Sequence, residues 1–239
     1  ELYKLYKLLM IFLFLILSFL NPSLKLESGK MITLDGKGPP LLFSSGLFGT
    51  MPDFLYSRLL KKIKRDFTVI TIDGFNPIVK TDIQDIVNTI AVENIAYLSH
   101  SSFNYDVLEN ENINNAILID PITLPKINMN GVSRQYINVN FPTTIIKASK
   151  LYNTDFSLPE WQDPKINGNI TTFIYENVGH PDLLDNFWAN LAKTYGFWDS
   201  TNGKIVSFKN WTYEDNNINK IREKYRIFIS NQTKNLILN

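Results

Sequence analysis

The chain has no cysteine in its 239 residues. Disulfides, thiolate metal sites and cysteine nucleophiles are therefore excluded. It has only two histidines, His100 and His180, far apart in sequence and with no carboxylate cluster at ligand spacing. No metal site and no cofactor are expected from such a set. The net charge is +1, which gives no electrostatic case for nucleic acid as a partner. No internal repeat is visible. Asn-x-Ser/Thr triplets occur at Asn169, Asn210 and Asn231, but chance matches are common in so Asn-rich a chain.

The length suits one domain, able to bury roughly 70–75% of its unfolded surface without staples. One segment stands apart. Lys4 and Lys7 precede an apolar run from Leu8 to Leu20, which Asn21-Pro22 ends. The run is short for a spanning helix of about 20 residues and suits the apolar core of a signal peptide. No clear small-x-small cleavage site follows, so an uncleaved anchor is a close rival. The expected organisation is a hydrophobic signal or anchor segment over 1–22 and a single domain over 23–239. Residues 8–20 would then give membrane association or secretion.

From residue 24 onward, short apolar stretches alternate with amphipathic ones. Candidate strands are Leu24–Leu26, Lys30–Leu34, Pro40–Ser44, Phe67–Ile72, Asn94–Leu98, Asn115–Ile119, Thr143–Lys147 and Ile170–Tyr175. Helical spacing covers Met51–Lys64, Asp82–Ala91 and Tyr213–Leu238, the last with Ile218, Ile221, Tyr225 and Ile229 facing inward. Asp182 and Asp185 suit the first turn of a helix beginning near Pro181. Alternation of this kind predicts a mostly parallel sheet with helices on both faces.

Reactive groups in such sheets gather at the carboxyl ends of the strands. Here those ends carry Ser45-Gly46, Ser101, Asp120 and His180. Ser99-His100-Ser101-Ser102-Phe103 reads as an altered G-x-S-x-G nucleophile elbow centred on Ser101. A serine becomes a nucleophile when a base takes its proton, and histidine is the usual base. The residue before an elbow serine normally points away from it, so His180 is the available base. Two acids compete. Asp120 sits directly at a strand end, whereas Asp155 lies a few residues beyond the strand that precedes the histidine strand. Asp120 is preferred and Asp155 is the alternative acid.

Four stretches resemble the α/β-hydrolase superfamily, and more closely its chlorophyllase-type esterases. Leu42-Phe-Ser-Ser-Gly-Leu-Phe-Gly49 with Phe54–Leu60 resembles the oxyanion strand and the helix after it. Ser99-His-Ser-Ser102 resembles the G-H-S-R-G elbow. Ala116-Ile-Leu-Ile-Asp-Pro121 resembles an apolar strand ending in Asp-Pro. Gly179-His-Pro-Asp-Leu-Leu-Asp185 resembles the G-H-x-D-x-L-D histidine loop and is the most specific. The pattern departs at Ser45, where the family has His, and at Ser99 and Phe103, where it has glycine.

The resemblance implies an α/β-hydrolase fold with a small lid or none. It implies a serine esterase acting on a small hydrophobic ester. Ser101, Asp120 and His180 would form the triad, and the N–H groups of Leu47 and Ser102 the oxyanion hole. Phe48, Phe103 and Trp161 would make the surroundings apolar. The competing expectation is a non-catalytic protein of the same fold, used for binding or structure at a membrane. The two lost glycines favour it; the retained Ser, Asp and His favour the enzyme.

Overall fold

The computed structural model describes residues 23–73, 77–122, 126–128, 131–133, 136–152, 165–195, 197–199, 204–206 and 215–238. The apolar run 8–20, Asp155 and Trp161 lie outside the described residues, as do the side chains of Leu47 and Phe48. No helix among the described residues is long and apolar enough to cross a membrane.

All eight expected strands form. They are β1 (Ser23–Lys25), β2 (Met31–Gly36), β3 (Pro40–Ser44), β4 (Thr68–Asp73), β5 (Ile95–Ser102), β6 (Ile113–Ile122), β7 (Thr143–Ala148) and β8 (Ile170–Tyr175). They join into one sheet in the order β1-β2-β4-β3-β5-β6-β7-β8. β2 runs antiparallel to both its neighbours, and the pairs from β4 to β8 are all parallel. This is the α/β-hydrolase fold. Its crossovers need helices on both faces, because parallel neighbours cannot be joined by hairpins.

The two faces arise from the period-2 alternation of side chains along a strand. Leu41, Phe43, Ala96, Leu98, Ile117 and Ile119 face one core, and Leu42, Tyr97, Ala116 and Leu118 face the other. The first core is covered by helices α1 (Ser57–Ile63), α3 (Asn186–Tyr195) and α4 (Ile218–Leu238). The second is covered by α2 (Lys80–Ile90), through Ile83, Ile86 and Val87. The carboxylate of Asp82 accepts the Val79 N–H at 2.8 Å, which caps α2, and Ala91 in the left-handed region ends it.

Two helices differ from expectation. The helix expected over Met51–Lys64 is a 3₁₀ turn, Asp53–Tyr56, followed by α1. The cause lies far away in sequence. The carboxylate of Asp185 accepts the Ser57 hydroxyl and, at 2.9 Å, the Arg58 N–H, so a fresh helix starts there. Asp185 thus caps a different helix from the one expected. Asp182 also caps no long helix: residues His180–Leu183 form a 3₁₀ turn, and α3 starts only at Asn186.

The parallel strands β3, β5 and β6 all end at one edge of the sheet. That edge carries Ser45-Gly46, Ser101 and Asp120. The chain after β8 brings His180 to the same place. Between β6 and β7, Lys126–Asn128 pairs antiparallel with Gly131–Ser133.

Candidate active site

Ser101 sits at φ +65, in the left-handed region, at an irregularity in the pairing of β5 with β6. Such a conformation costs a non-glycine residue about 1–3 kcal/mol and persists only when its surroundings enforce it. It forms here despite Ser99 and Phe103, because of the chain just beyond them. An elbow normally runs straight into a helix that crosses its strand closely. Here the chain makes only a 3₁₀ turn, Tyr105–Glu109. The close crossing that calls for glycine is absent, and Phe103 is buried in the core on the α2 side.

His180 Nε2 lies 2.9 Å from Ser101 Oγ, and its Nδ1 lies 3.3 Å from Asp120 Oδ2. Asp120 is fully buried, also at positive φ, and its Oδ1 accepts the Ala148 N–H at 2.6 Å. The end of β7 therefore supplies no carboxylate of its own among the described residues, but it grips the one from β6. It grips the histidine loop too: Asn177 N–H donates to Ser149 Oγ at 3.1 Å, and Lys150 N–H to the Val178 carbonyl at 3.1 Å. Ser101, Asp120 and His180 are thus brought together in one line. The Ser101–His180 separation lies within hydrogen-bond reach of about 2.6–3.2 Å, and the His180–Asp120 separation is just beyond it.

Leu47 belongs to the helical turn Gly46–Gly49 that comes after β3, and Ser102 is the residue after Ser101. Gly46 brings this turn very close. A Cβ placed there would stand 3.6 Å from Ser101 Cβ and 2.8 Å from Met51 Sδ.

His100 is not the base. It is buried, its ring stacks on that of His180 at 4.7 Å, and its nitrogens face Tyr56 Oη and the His180 carbonyl. Burial, and then the neighbouring His180, hold its pKa well below the ordinary value of 6.5. An unfolded chain takes up a proton at His100 as pH falls through about 6.5, while the folded chain refuses it. The unfolded state then binds more protons, so folding stability falls as pH falls. Denaturant titrations should show wild type losing up to about 1.4 kcal/mol per pH unit more than His100→Gln below about pH 6. Parallel pH profiles for the two proteins would reject this.

The most important residues that sequence reasoning missed are two arginines. Arg222 and Arg226, on α4, are both fully buried beneath the histidine loop. Arg222 Nε donates to Asp182 Oδ1 at 2.7 Å, and a second nitrogen donates to Asn190 Oδ1 at 2.8 Å. Arg226 donates to the carbonyls of Leu183 and Leu184. Asp182 uses its other oxygen to accept the Gly179 N–H at 2.7 Å, so the loop is held on both sides of His180. Burial pushes the Asp182 carboxyl upward, against the pull of Arg222. Arg222→Met should cost about 3–5 kcal/mol, because it strands a buried carboxylate. Adding Asp182→Asn should recover part of the loss. Thermal melts of the single and double variants check this, and a harmless single variant would refute it.

The donor atoms of His100, Asp120 and His180 lie within 4.8 Å of one another, close enough to hold a cation. Those atoms already face Tyr56, Ser101, Ala148 and the His180 carbonyl, or each other. A metal would have to displace those bonds.

No protein-family model matches the sequence, and no curated protein does either. Solved structures of similar fold include the N-formylmaleamic acid deformylase of Pseudomonas putida S16, with 13% identity, 72% of this chain and 98% of that chain covered, and a TM-score of 0.47. An α/β fold family hydrolase from Bacillus anthracis str. Sterne is 11% identical over 71% of this chain and 98% of that chain, with a TM-score of 0.47. An epoxide hydrolase is 12% identical over 73% of this chain and 97% of that chain, with a TM-score of 0.48.

Proposed function

We propose that the chain is a serine carboxylic-ester hydrolase acting on a hydrophobic ester. The observation that carries this is the line Ser101 Oγ, His180 Nε2, His180 Nδ1, Asp120 Oδ2, with separations of 2.9 and 3.3 Å, on a serine at φ +65. Ser101 Oγ attacks the acyl carbon as its proton passes to His180 Nε2. Asp120 holds the Nδ1–H tautomer and stabilises the imidazolium that results. The negative oxygen that develops is met by the N–H groups of Leu47 and Ser102, donors each worth about 2.7–4 kcal/mol in such sites. His180 then returns the proton to the leaving alcohol, and water releases the acyl group by the same route.

The apolar thioether of Met51 beside Gly46 supports a hydrophobic substrate. So does the resemblance of the histidine loop to chlorophyllase-type esterases. The test is covalent labelling with a fluorophosphonate, with mass spectrometry of the modified peptide. The reading expects the label on Ser101.

A non-catalytic role is the second reading, and one observation favours it. The short 3₁₀ turn after Ser101 replaces a helix whose N-terminus would strengthen the Ser102 donor. Absence of any Ser101-dependent labelling or turnover would select it.

A further inference from the structure

We propose that His100 is a positioning residue: as the neutral Nε2–H tautomer it links Tyr56 to the His180 carbonyl, and so ties both flanking loops to the nucleophile's own strand. The proton directions are fixed by elimination. The His180 carbonyl can only accept, so His100 Nε2, 3.2 Å away, must donate. His100 Nδ1 then carries a lone pair, and the Tyr56 hydroxyl at 2.8 Å must donate to it. The Tyr56 oxygen in turn accepts the Gly46 N–H at 3.0 Å. Met51 Sδ, 4.0 Å from the same hydroxyl, receives no proton in this arrangement.

The chain therefore runs Gly46, Tyr56, His100, His180, and every link is buried. Gly46 opens the turn that carries Leu47. His100 precedes Ser101. The His180 carbonyl belongs to the residue whose ring faces Ser101. Three segments that share no secondary structure are thereby held in one register by a single imidazole. The stacked geometry gives it a second task. His180 becomes a cation during the proposed reaction, and a neutral ring 4.7 Å away and tilted by only 25° can lie against it without repulsion. A lysine or arginine could not.

The kinetic part of this inference rests on the ester-hydrolase reading; the bonding part does not. His100→Leu removes the nitrogen that accepts from the Tyr56 hydroxyl and the N–H that donates to the His180 carbonyl. Misplacement of catalytic groups by such a change lowers turnover of p-nitrophenyl butyrate by about 10²-fold through kcat, with KM little moved. His100→Gln offers a carbonyl to Tyr56 and an N–H to His180, and recovers most of that loss. Tyr56→Phe removes one hydroxyl without emptying a cavity, and serves if His100→Leu does not fold; it should lower kcat about tenfold.

The independent readout is the ¹⁵N imidazole spectrum of the intact protein. His100 should remain neutral with its proton on Nε2 at neutral pH, and Tyr56→Phe should shift its Nδ1 resonance. An Nδ1–H tautomer, an imidazolium at neutral pH, or full activity in His100→Leu and Tyr56→Phe overturns the proposal. If wild type hydrolyses no ester and takes no phosphonate, the enzyme reading fails alone, and the tautomer spectrum still decides the role of His100.

Discussion

Ser101→Ala should lower ester turnover by about 10⁶-fold, the scale of loss when a triad nucleophile is removed. Nothing else about the molecule should change much. Alanine and serine both carry a Cβ, so the strain at φ +65 is the same in either. The hydroxyl that is lost sits on a half-buried residue and faces His180 Nε2. Thermal stability should stay within about 0.5–1 kcal/mol of wild type. Turnover of p-nitrophenyl butyrate and phosphonate labelling read the effect directly. Turnover that survives the change undiminished removes Ser101 from the mechanism.

Asp120→Asn should lower kcat by about 10⁴-fold, with little loss of folding. Asp120 makes two bonds, and asparagine can keep only one of them usefully. Its carbonyl oxygen can still accept the Ala148 N–H, so the amide nitrogen must face His180 Nδ1. An N–H there demands a lone pair on Nδ1, which drives the imidazole proton to Nε2. That nitrogen then donates toward Ser101 instead of accepting from it, and the base is gone. Asp155→Asn should leave the rate near wild type. The reverse ranking would make Asp155 the acid and leave Asp120 as a structural anchor.

Much of this arrangement is legible in the sequence. Seven of the eight strands, β2 to β8, carry a short β-branched or apolar run, and such runs write themselves locally. The edge positions of Ser101 and Asp120 are set by where those runs stop, and that of His180 by the loop just beyond the last run. The illegible parts depend on partners distant along the chain. Arg222 and Arg226 lie on a helix whose apolar stripe points to Tyr225 and Ile229. Nothing in their spacing reveals that the carboxylate of Asp182 and the carbonyls of Leu183 and Leu184 wait beneath them. Asp185 reads as the cap of its own helix because capping is usually local, yet it starts α1. The glycine-poor elbow reads as obstructive because the usual pattern presumes a helix after the serine. Residues Phe103 to Asn112 form no such helix, so the obstruction never arises.

The clamp from α4 has a temporal consequence. On the ester-hydrolase reading the reacting groups come from positions 101, 120 and 180, but the side chain that pins the last of them arrives only with Arg222. During synthesis the ribosome can deliver β3, β5 and β6, and even the loop bearing His180, well before α4 exists. Until α4 docks, Asp182 has no cation and the carbonyls of Leu183 and Leu184 have no donor. On the same reading, a nascent or truncated chain ending before residue 218 should carry Ser101, Asp120 and His180 and yet hydrolyse no ester, because nothing pins the loop that bears His180.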